Sequence, residues 1–404
     1  MKKILCLAVF FCITIINAQE TNTKNKADFK LGSGLNFSFN EGAYQFRVSG
    51  FIQPTISYEK TKGLDSDFAF NSKRNFFMLS GKAVNEKVSF LLQTDFSLAQ
   101  PLLDAWVAYH PYNWLTLTAG QKQSFLNNRE MIYREDKLQF TERSRFSQLY
   151  SKTGREFGLF IETKFGERFI IAPSFAVTSG DGRNSFGADS RDADLGGVKI
   201  GGRVDFYPAG AFTSGNDQYT ADIAHEQTPK VLVGVAASKN NGASNATGEG
   251  HGDFMLYDAN GKNNLPDYSQ IFTDILFKYK GFSFLAEYAS SSASNLGQSY
   301  IDANGVSVLA PQQISEYLVL GDSYSLQTGY VTSKGLSFDF RYEKTEPEFA
   351  SYTNSLLQDS KSYTFGFTKY FDGNNLKLQT AVSKIDFTQG SDLYIGEIVL
   401  QIVF

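Results

Sequence analysis

Two cysteines, nine prolines, four methionines, two tryptophans and three histidines are all that the 404 residues hold of those types. Cys6 and Cys12 both fall within residues 1–18, so no thiol follows them. Disulfides, thiolate metal sites and cysteine nucleophiles are thereby excluded from the rest of the chain. Proline is too scarce for a collagen, and 42% apolar with 15% aromatic content is too much for a disordered chain. The Leu/Ala/Glu/Lys runs of helix bundles are missing. Beyond residue 18, no stretch reaches the roughly 18 uninterrupted apolar residues of a membrane helix. A basic excess is also absent: 38 basic against 42 acidic groups give −4, or −6 once Lys2 and Lys3 are removed, so nucleic acid is not an expected partner.

What the chain does have is Phe and Tyr, 37 and 21 of them, and a two-residue period. Phe46, Val48, Gly50, Ile52, Ile56 and Tyr58 alternate with Arg47, Ser49, Gln53, Thr55, Ser57 and Glu59. Leu336, Phe338, Phe340 and Tyr342 do the same against Ser337, Asp339, Arg341 and Glu343. One greasy and one polar face on every strand is what lipid outside and water inside demand, and closure satisfies every backbone group. The fold class expected is all-β: a transmembrane antiparallel β-barrel of 16 strands, at roughly 44–58, 69–80, 87–96, 103–109, 114–120, 154–164, 168–177, 197–207, 229–238, 268–279, 281–290, 315–332, 335–343, 361–371, 375–386 and 392–404. Short and long connections alternate, as between the periplasmic turns and outer loops of such barrels. Pro208 to Pro229 is too long for its short-turn slot and has no account at this level. Sixteen strands should enclose a water channel. A soluble propeller would need a repeat of about 40 residues, and none is found.

Residues 1–18 read as a cleaved signal peptide: two lysines, an apolar stretch from Ile4 to Ile16, then Asn17 and Ala18. Residues 19–43 are then a lead-in, and 44–404 the barrel. The expected location is the outer membrane of a Gram-negative bacterium, with outer-membrane lipid as a partner.

The connection from Gln121 to Thr153, third among the long ones, concentrates charge. Lys122, Arg129, Arg134, Lys137, Arg143, Arg145, Lys152 and Arg155 stand against four acidic residues, +4 locally, which leaves −10 for the remainder of the mature chain. A long third extracellular loop folded into the pore would place these cations at a constriction, where they favour anions. Equally, they could be solvated surface charges pairing among themselves, as Arg134 with Glu135 or Glu142 with Arg143. By strand parity the lumen wall receives Arg47, Lys199, Arg203, Lys278 and Arg341, but also Asp95, Glu162, Asp205, Asp274, Glu287, Asp339, Glu343 and Glu397. Anion preference would therefore rest on the loop. The parity of Arg155 matches the lipid-facing Phe157, Leu159 and Ile161 unless the strand starts after it.

Leu91-Leu92-Gln93-Thr94-Asp95-Phe96, Leu103-Asp104-Ala105-Trp106-Val107 leading to His110-Pro111, Gly120-Gln121-Lys122, Phe140-Thr141-Glu142-Arg143-Ser144 and Gly154-Arg155-Glu156-Phe157-Gly158 occur in that order. Over roughly residues 70–165 the chain resembles the phosphate-selective porin O and P family, in its Bacteroidetes versions. The resemblance implies a sixteen-stranded, commonly trimeric barrel passing small anions such as phosphate or polyphosphate. Lys122, Arg143 and Arg155 are the residues that fall on motif positions. The acidic wall departs from a strongly basic channel.

Enzymatic readings are weak: His110, His225 and His251 lack metal-protease spacing, and no nucleophile elbow or phosphate loop occurs. No catalytic residue, cofactor or resident metal is expected, although Asp258-Ala259-Asn260-Gly261 and Asp302-Ala303-Asn304-Gly305 offer oxygens that Ca²⁺ could use; neither keeps the full EF-hand loop spacing, and Asn-Gly turns alone explain them. Tyr44, Tyr58, Trp114, Tyr279, Tyr288, Tyr342, Tyr370 and Tyr394 fall near strand ends as an interfacial girdle. Parity puts Tyr58, Tyr288 and Tyr342 outside. The function expected is a passive diffusion channel with modest anion preference. The alternatives are a general or sugar-preferring porin, and a non-conducting barrel in an envelope assembly.

Overall fold

The structure, a computed structural model, describes residues 25–179, 196–249 and 252–404. The signal segment, the first part of the lead-in and His251 lie outside them.

Alternating side chains need two different solvents, and the chain supplies them by closing on itself. Sixteen antiparallel strands form a closed barrel: β3 Tyr44–Thr61, β4 Ser66–Ala83, β5 Val88–Asp95, β6 Leu102–Tyr112, β7 Leu115–Gln123, β8 Arg155–Thr163, β9 Ile170–Thr178, β10 Lys199–Tyr207, β11 Lys230–Asn240, β12 Asp267–Tyr279, β13 Phe282–Ser294, β14 Gly321–Val331, β15 Leu336–Pro347, β16 Ser360–Asp372, β17 Leu376–Phe387 and β18 Leu393–Val403. Each pairs with its neighbour in sequence, and β18 returns to β3 from Leu393 opposite Thr61 to Val403 opposite Phe51. Phe404 and Gly50 finish the seam with reciprocal backbone hydrogen bonds of 2.8 and 2.7 Å.

The barrel is inside out relative to a soluble protein. Val107, Leu159, Phe175, Val235, Phe338, Phe365 and Val382 are exposed around the outside, while Lys199, Arg203, Lys278, Arg341, Asp274 and Glu287 are buried inside. An apolar exterior that runs around the whole molecule fits lipid, not water. Tyr112 and Trp114 stack at 5.4 Å beside Phe165 at one rim. Tyr288–Tyr324 and Tyr342–Tyr363 pair on the outer face, where parity places Tyr288 and Tyr342.

One strand boundary changes, and two features are new. Part of the lead-in is structured: β1 Lys26–Lys30 and β2 Gly34–Phe39 form a hairpin that pairs with the first residues of β3, Leu35 opposite Val48 through Phe39 opposite Tyr44. β3 is 18 residues long, more than the 9–11 a membrane strand needs, so its start projects past the end of β18 and offers a free edge, which β2 covers. The segment beginning at 315 is strand only from Gly321; Pro311–Glu316 is a 3-10 turn. Lastly, two connections fold into the interior.

Turn chemistry fixes the short-turn end. Lys280 and Gly281 join β12 to β13 with φ of 49° and 89°, a mirror-image two-residue turn. A Cβ on Gly281 would lie 2.3 Å from the Val331 carbonyl oxygen.

Candidate functional site

Opposite charge on loop and wall decides where the third long connection goes. Between β7 and β8 the chain enters the lumen, carrying two helical turns, α1 Arg129–Ile132 and α2 Arg145–Tyr150. Arg129 donates from Nε to Asp274 on β12 at 2.9 Å and from a terminal nitrogen to Asp205 on β10 at 3.0 Å. Arg203 faces the same two carboxylates and also donates to the Asn127 carbonyl at 2.9 Å. Across the barrel, Arg341 on β15 donates to Glu130, whose other oxygen accepts from the Ser144 backbone at 2.7 Å. Gln139 reaches Asp339 on β15 and Gln327 on β14; Lys377 on β17 donates to the carbonyls of Asp136 and Leu138. Tyr150 bonds the Gly321 carbonyl at 2.9 Å. Asn128 donates to Glu287 on β13 at 3.0 Å, and contacts on β10, β12, β13, β14, β15 and β17 place the loop inside the barrel.

The predicted cations therefore meet, but mostly with carboxylates. Arg143 spans Glu135 and the carbonyls of Glu130 and Tyr133. Arg155 is buried and donates to Glu135 at 2.6 Å and to Asp104 at 3.4 Å; standing at the first residue of β8, it turns inward, which removes the parity conflict. Burial alone would raise the Glu135 carboxyl, but Arg155 and Arg143 outweigh that and hold it well below the usual carboxylate range. Arg134 pairs with Asp136, Lys122 with Glu162 at 2.5 Å and Lys199 with the buried Glu156 at 2.6 Å. Lys152 stays exposed at the loop's root, where Glu249 accepts from the backbone of Lys152 and Thr153 at 3.1 Å. Arg47 is exposed at the short-turn end and bonds Asn36 of β2 at 2.9 Å. Arg145 has no ion pair among the described residues.

The segment between β10 and β11, awkward as a short turn, enters the barrel from the opposite end. Phe212 packs against Tyr207, Leu232 and Leu276 on the inner wall. Buried Lys278 donates to the carbonyls of Asn216, Tyr219 and Ala221 at 2.6, 2.7 and 2.9 Å. Lys137 of the third loop bonds Gln218 and lies 5.4 Å over the Tyr219 ring, so the two intrusions touch.

Space remains along β15–β18, β3 and β4. A cavity of about 370 Å³ opens between α2 and Ser362, Ser383 and Glu397. Another of about 300 Å³ lies nearer the short turns, between Arg47, Ser49, Asn374 and the loop's Arg134. A polar septum separates them: Gln53 bonds Gln401 at 2.7 Å, Arg74 donates to Gln53 at 3.0 Å and to Glu142 at 2.5 Å, and Gln401 donates to the Asn374 carbonyl at 2.7 Å. Burial would raise the Glu142 carboxyl, but Arg74 and Lys73 hold it at about 2.

Lys73 and Arg74 were missed as site residues, and a bulge is the reason. The pairing slips between Gln53 opposite Arg74 and Pro54 opposite Ser72, leaving Lys73 as the extra residue. Both consecutive cations thus face the lumen, Lys73 bonding Glu397 at 2.6 Å and Glu142 at 3.0 Å. The sequence carries a trace of this: exposed Phe68 and Phe70 are even-numbered, whereas Phe77 beyond the bulge is odd.

No protein-family model matches the chain, and no curated protein sequence does. Among solved structures, the anion-selective porin from Comamonas acidovorans superposes with a TM-score of 0.53 over 89% of this chain and 100% of its own, at 10% identity. The barrel has a porin fold. OmpT of Vibrio cholerae, an outer-membrane protein, gives 0.51 over 90% of this chain and 98% of its own at 10% identity. The outer-membrane channel DcaP of Acinetobacter baumannii gives 0.51 over 90% and 98% at 11%. Identities this low carry the porin fold and nothing finer.

The acidic turns behave as turns: Asp258 accepts from the backbone of Asn260 and Lys262 at 2.8 and 2.9 Å, and Asp302 from Asn304 and Ser307 at 3.0 and 2.7 Å.

Proposed function

We propose that the protein is an outer-membrane porin, a passive diffusion channel for small hydrophilic solutes with a modest preference for anions such as phosphate. One observation carries the reading: a lipid-facing barrel whose lumen keeps two cavities in line along one wall, with Lys73 and Arg74 beside the septum between them. Solute moves down its gradient past Glu142, Arg74 and Gln53, and no residue acts as a catalyst. The loop cations Arg129, Arg134, Lys137 and Arg143, with Arg155 of β8, hold the loop in place, and their polar partners temper the anion preference. Membership of the phosphate-selective porin O and P family, trimeric assembly and cleavage of residues 1–18 belong to the same proposal, supported by the motifs over residues 70–165.

Planar-bilayer conductance of the purified protein tests it. A reversal potential toward the anion in a KCl gradient, with added phosphate lowering the chloride current, is the expected result. Cation preference in wild type and in Arg74→Gln alike would defeat the anion assignment. A second reading, a non-conducting barrel of an envelope assembly, is favoured by the two intrusions meeting at Lys137 and Gln218; absence of current in every salt would select it.

A further inference from the structure

The larger cavity is unlike a porin lumen on one side. Lumen-facing positions of a membrane barrel are ordinarily polar. Here the ends of β17 and β18 nearest the long loops turn Ile385, Leu393 and Ile395 inward, and Leu149 of α2 closes the same space from the loop side. Register bears out the facing: Ile385 stands opposite Ser362 and Ile395 opposite Ser383, both lumen positions. Phe387, two residues past Ile385, carries the Arg145 guanidinium 5.0 Å above its ring.

Arg145 is the odd member of its loop. Arg129, Arg134 and Arg143 each hold a carboxylate. The Nε of Arg145 is buried and has no hydrogen-bond partner among the described residues. Glu343 is close enough to be felt electrostatically, but it makes no ion pair with Arg145 among the described residues, and one of its oxygens accepts from the Phe146 backbone at 2.8 Å. Burial accordingly lowers the Arg145 pKa, only partly offset by Glu343, whereas carboxylates raise Arg129 and Arg134 above the ordinary value despite burial. Among the described residues the guanidinium forms no ion pair, and apolar side chains line the same cavity.

We infer that this cavity is a binding site for a monocarboxylate bearing an apolar body, the carboxylate on Arg145 and the body against Ile385, Leu393, Ile395 and Leu149. The other cations of the lining are already neutralised: Lys73 by Glu142 and Glu397, Arg143 by Glu135, Arg341 by Glu130. One free guanidinium suits one carboxylate. Inorganic phosphate asks for several donors and gains nothing from the aliphatic wall, which it would leave wet. A cavity of about 370 Å³ is within the range that small ligands fill. The inference rests on the channel reading for its role, as a site where solutes pause before the septum, but not for its chemistry.

The test is benzoate binding to the full-length, detergent-folded protein, followed by ligand-observed NMR, beside bilayer current with the same probe. Wild type should bind benzoate, with neither benzyl alcohol nor equimolar phosphate displacing it. Arg145→Gln should weaken binding by about tenfold or more, the usual worth of a charged hydrogen bond. Ile395→Ser, which keeps the charge and removes apolar wall, should weaken benzoate binding as well. Arg145 has no ion pair to lose among the described residues, and heat-modifiable migration on gels verifies that both variants fold. Undiminished binding in folded Arg145→Gln, or displacement by phosphate as effective as by benzoate itself, would overturn the inference. Current without benzoate binding would also overturn it while sparing the channel reading; benzoate binding without current would uphold it and remove the channel.

Discussion

Removing Arg129 probes what holds the third loop inside the barrel. Arg129 and Arg203 face Asp205 and Asp274, two positive and two negative charges out of water. Arg129→Gln leaves one positive against two negative. Breaking a buried pair by deleting one partner costs about 3–5 kcal/mol, because the orphaned charge remains. A penalty near 3 kcal/mol multiplies the undocked fraction of the loop about 150-fold. Two assays read this. Trypsin should cleave at Arg134 or Lys137, protected inside the wild-type barrel, and single-channel records should show larger, noisier openings. Arg129→Gln/Asp205→Asn leaves Arg203 facing Asp274 alone, a balanced pair, and should recover most of the wild-type behaviour. If the single variant is as protease-resistant and quiet as wild type, or if the double variant is no better than the single, then charge pairing does not hold the loop.

Arg74→Gln should shift the reversal potential toward cations more than Arg129→Gln does, because Arg74 borders the septum and Arg129 lies behind the loop; a larger shift for Arg129 refutes the proposed path. Gln53→Ala/Gln401→Ala removes the hydrogen bond across the septum, and single-channel conductance should rise with little change in ion preference. Lys278→Met strands three carbonyls now capped at 2.6–2.9 Å; at about 1–3 kcal/mol for each buried unsatisfied group, thermal stability should drop and the 208–229 segment become protease-sensitive. Glu142, held at about 2 against an ordinary 4.5, contributes stability that is fully present above pH 4.5 and lost as pH falls through 2. Conductance between pH 7 and 5 should therefore not change through this group, and Glu142→Gln should reduce the change seen below pH 3.

Alternation alone determined the architecture. Lipid and water impose opposite demands on successive residues, so each of the sixteen strand segments read from period two corresponds to one strand of the barrel, and Phe404 lies on the closing seam. Charge segregation pointed to the third loop, since a +4 loop and an acidic wall attract. Sequence could not say which charge finds which. Arg129 meets Asp274 across 145 residues and Glu130 meets Arg341 across 211, contacts that exist only once the barrel brings them together. Parity also fails wherever the backbone is irregular: the bulge at Lys73 turns two adjacent cations inward, and Arg155 at a strand start escapes alternation. The 208–229 connection and the 26–39 hairpin were illegible for the same reason. Each satisfies its backbone and apolar groups against surfaces that closure creates, the inner wall for one and the uncovered edge of β3 for the other, and no local pattern encodes a surface that does not yet exist.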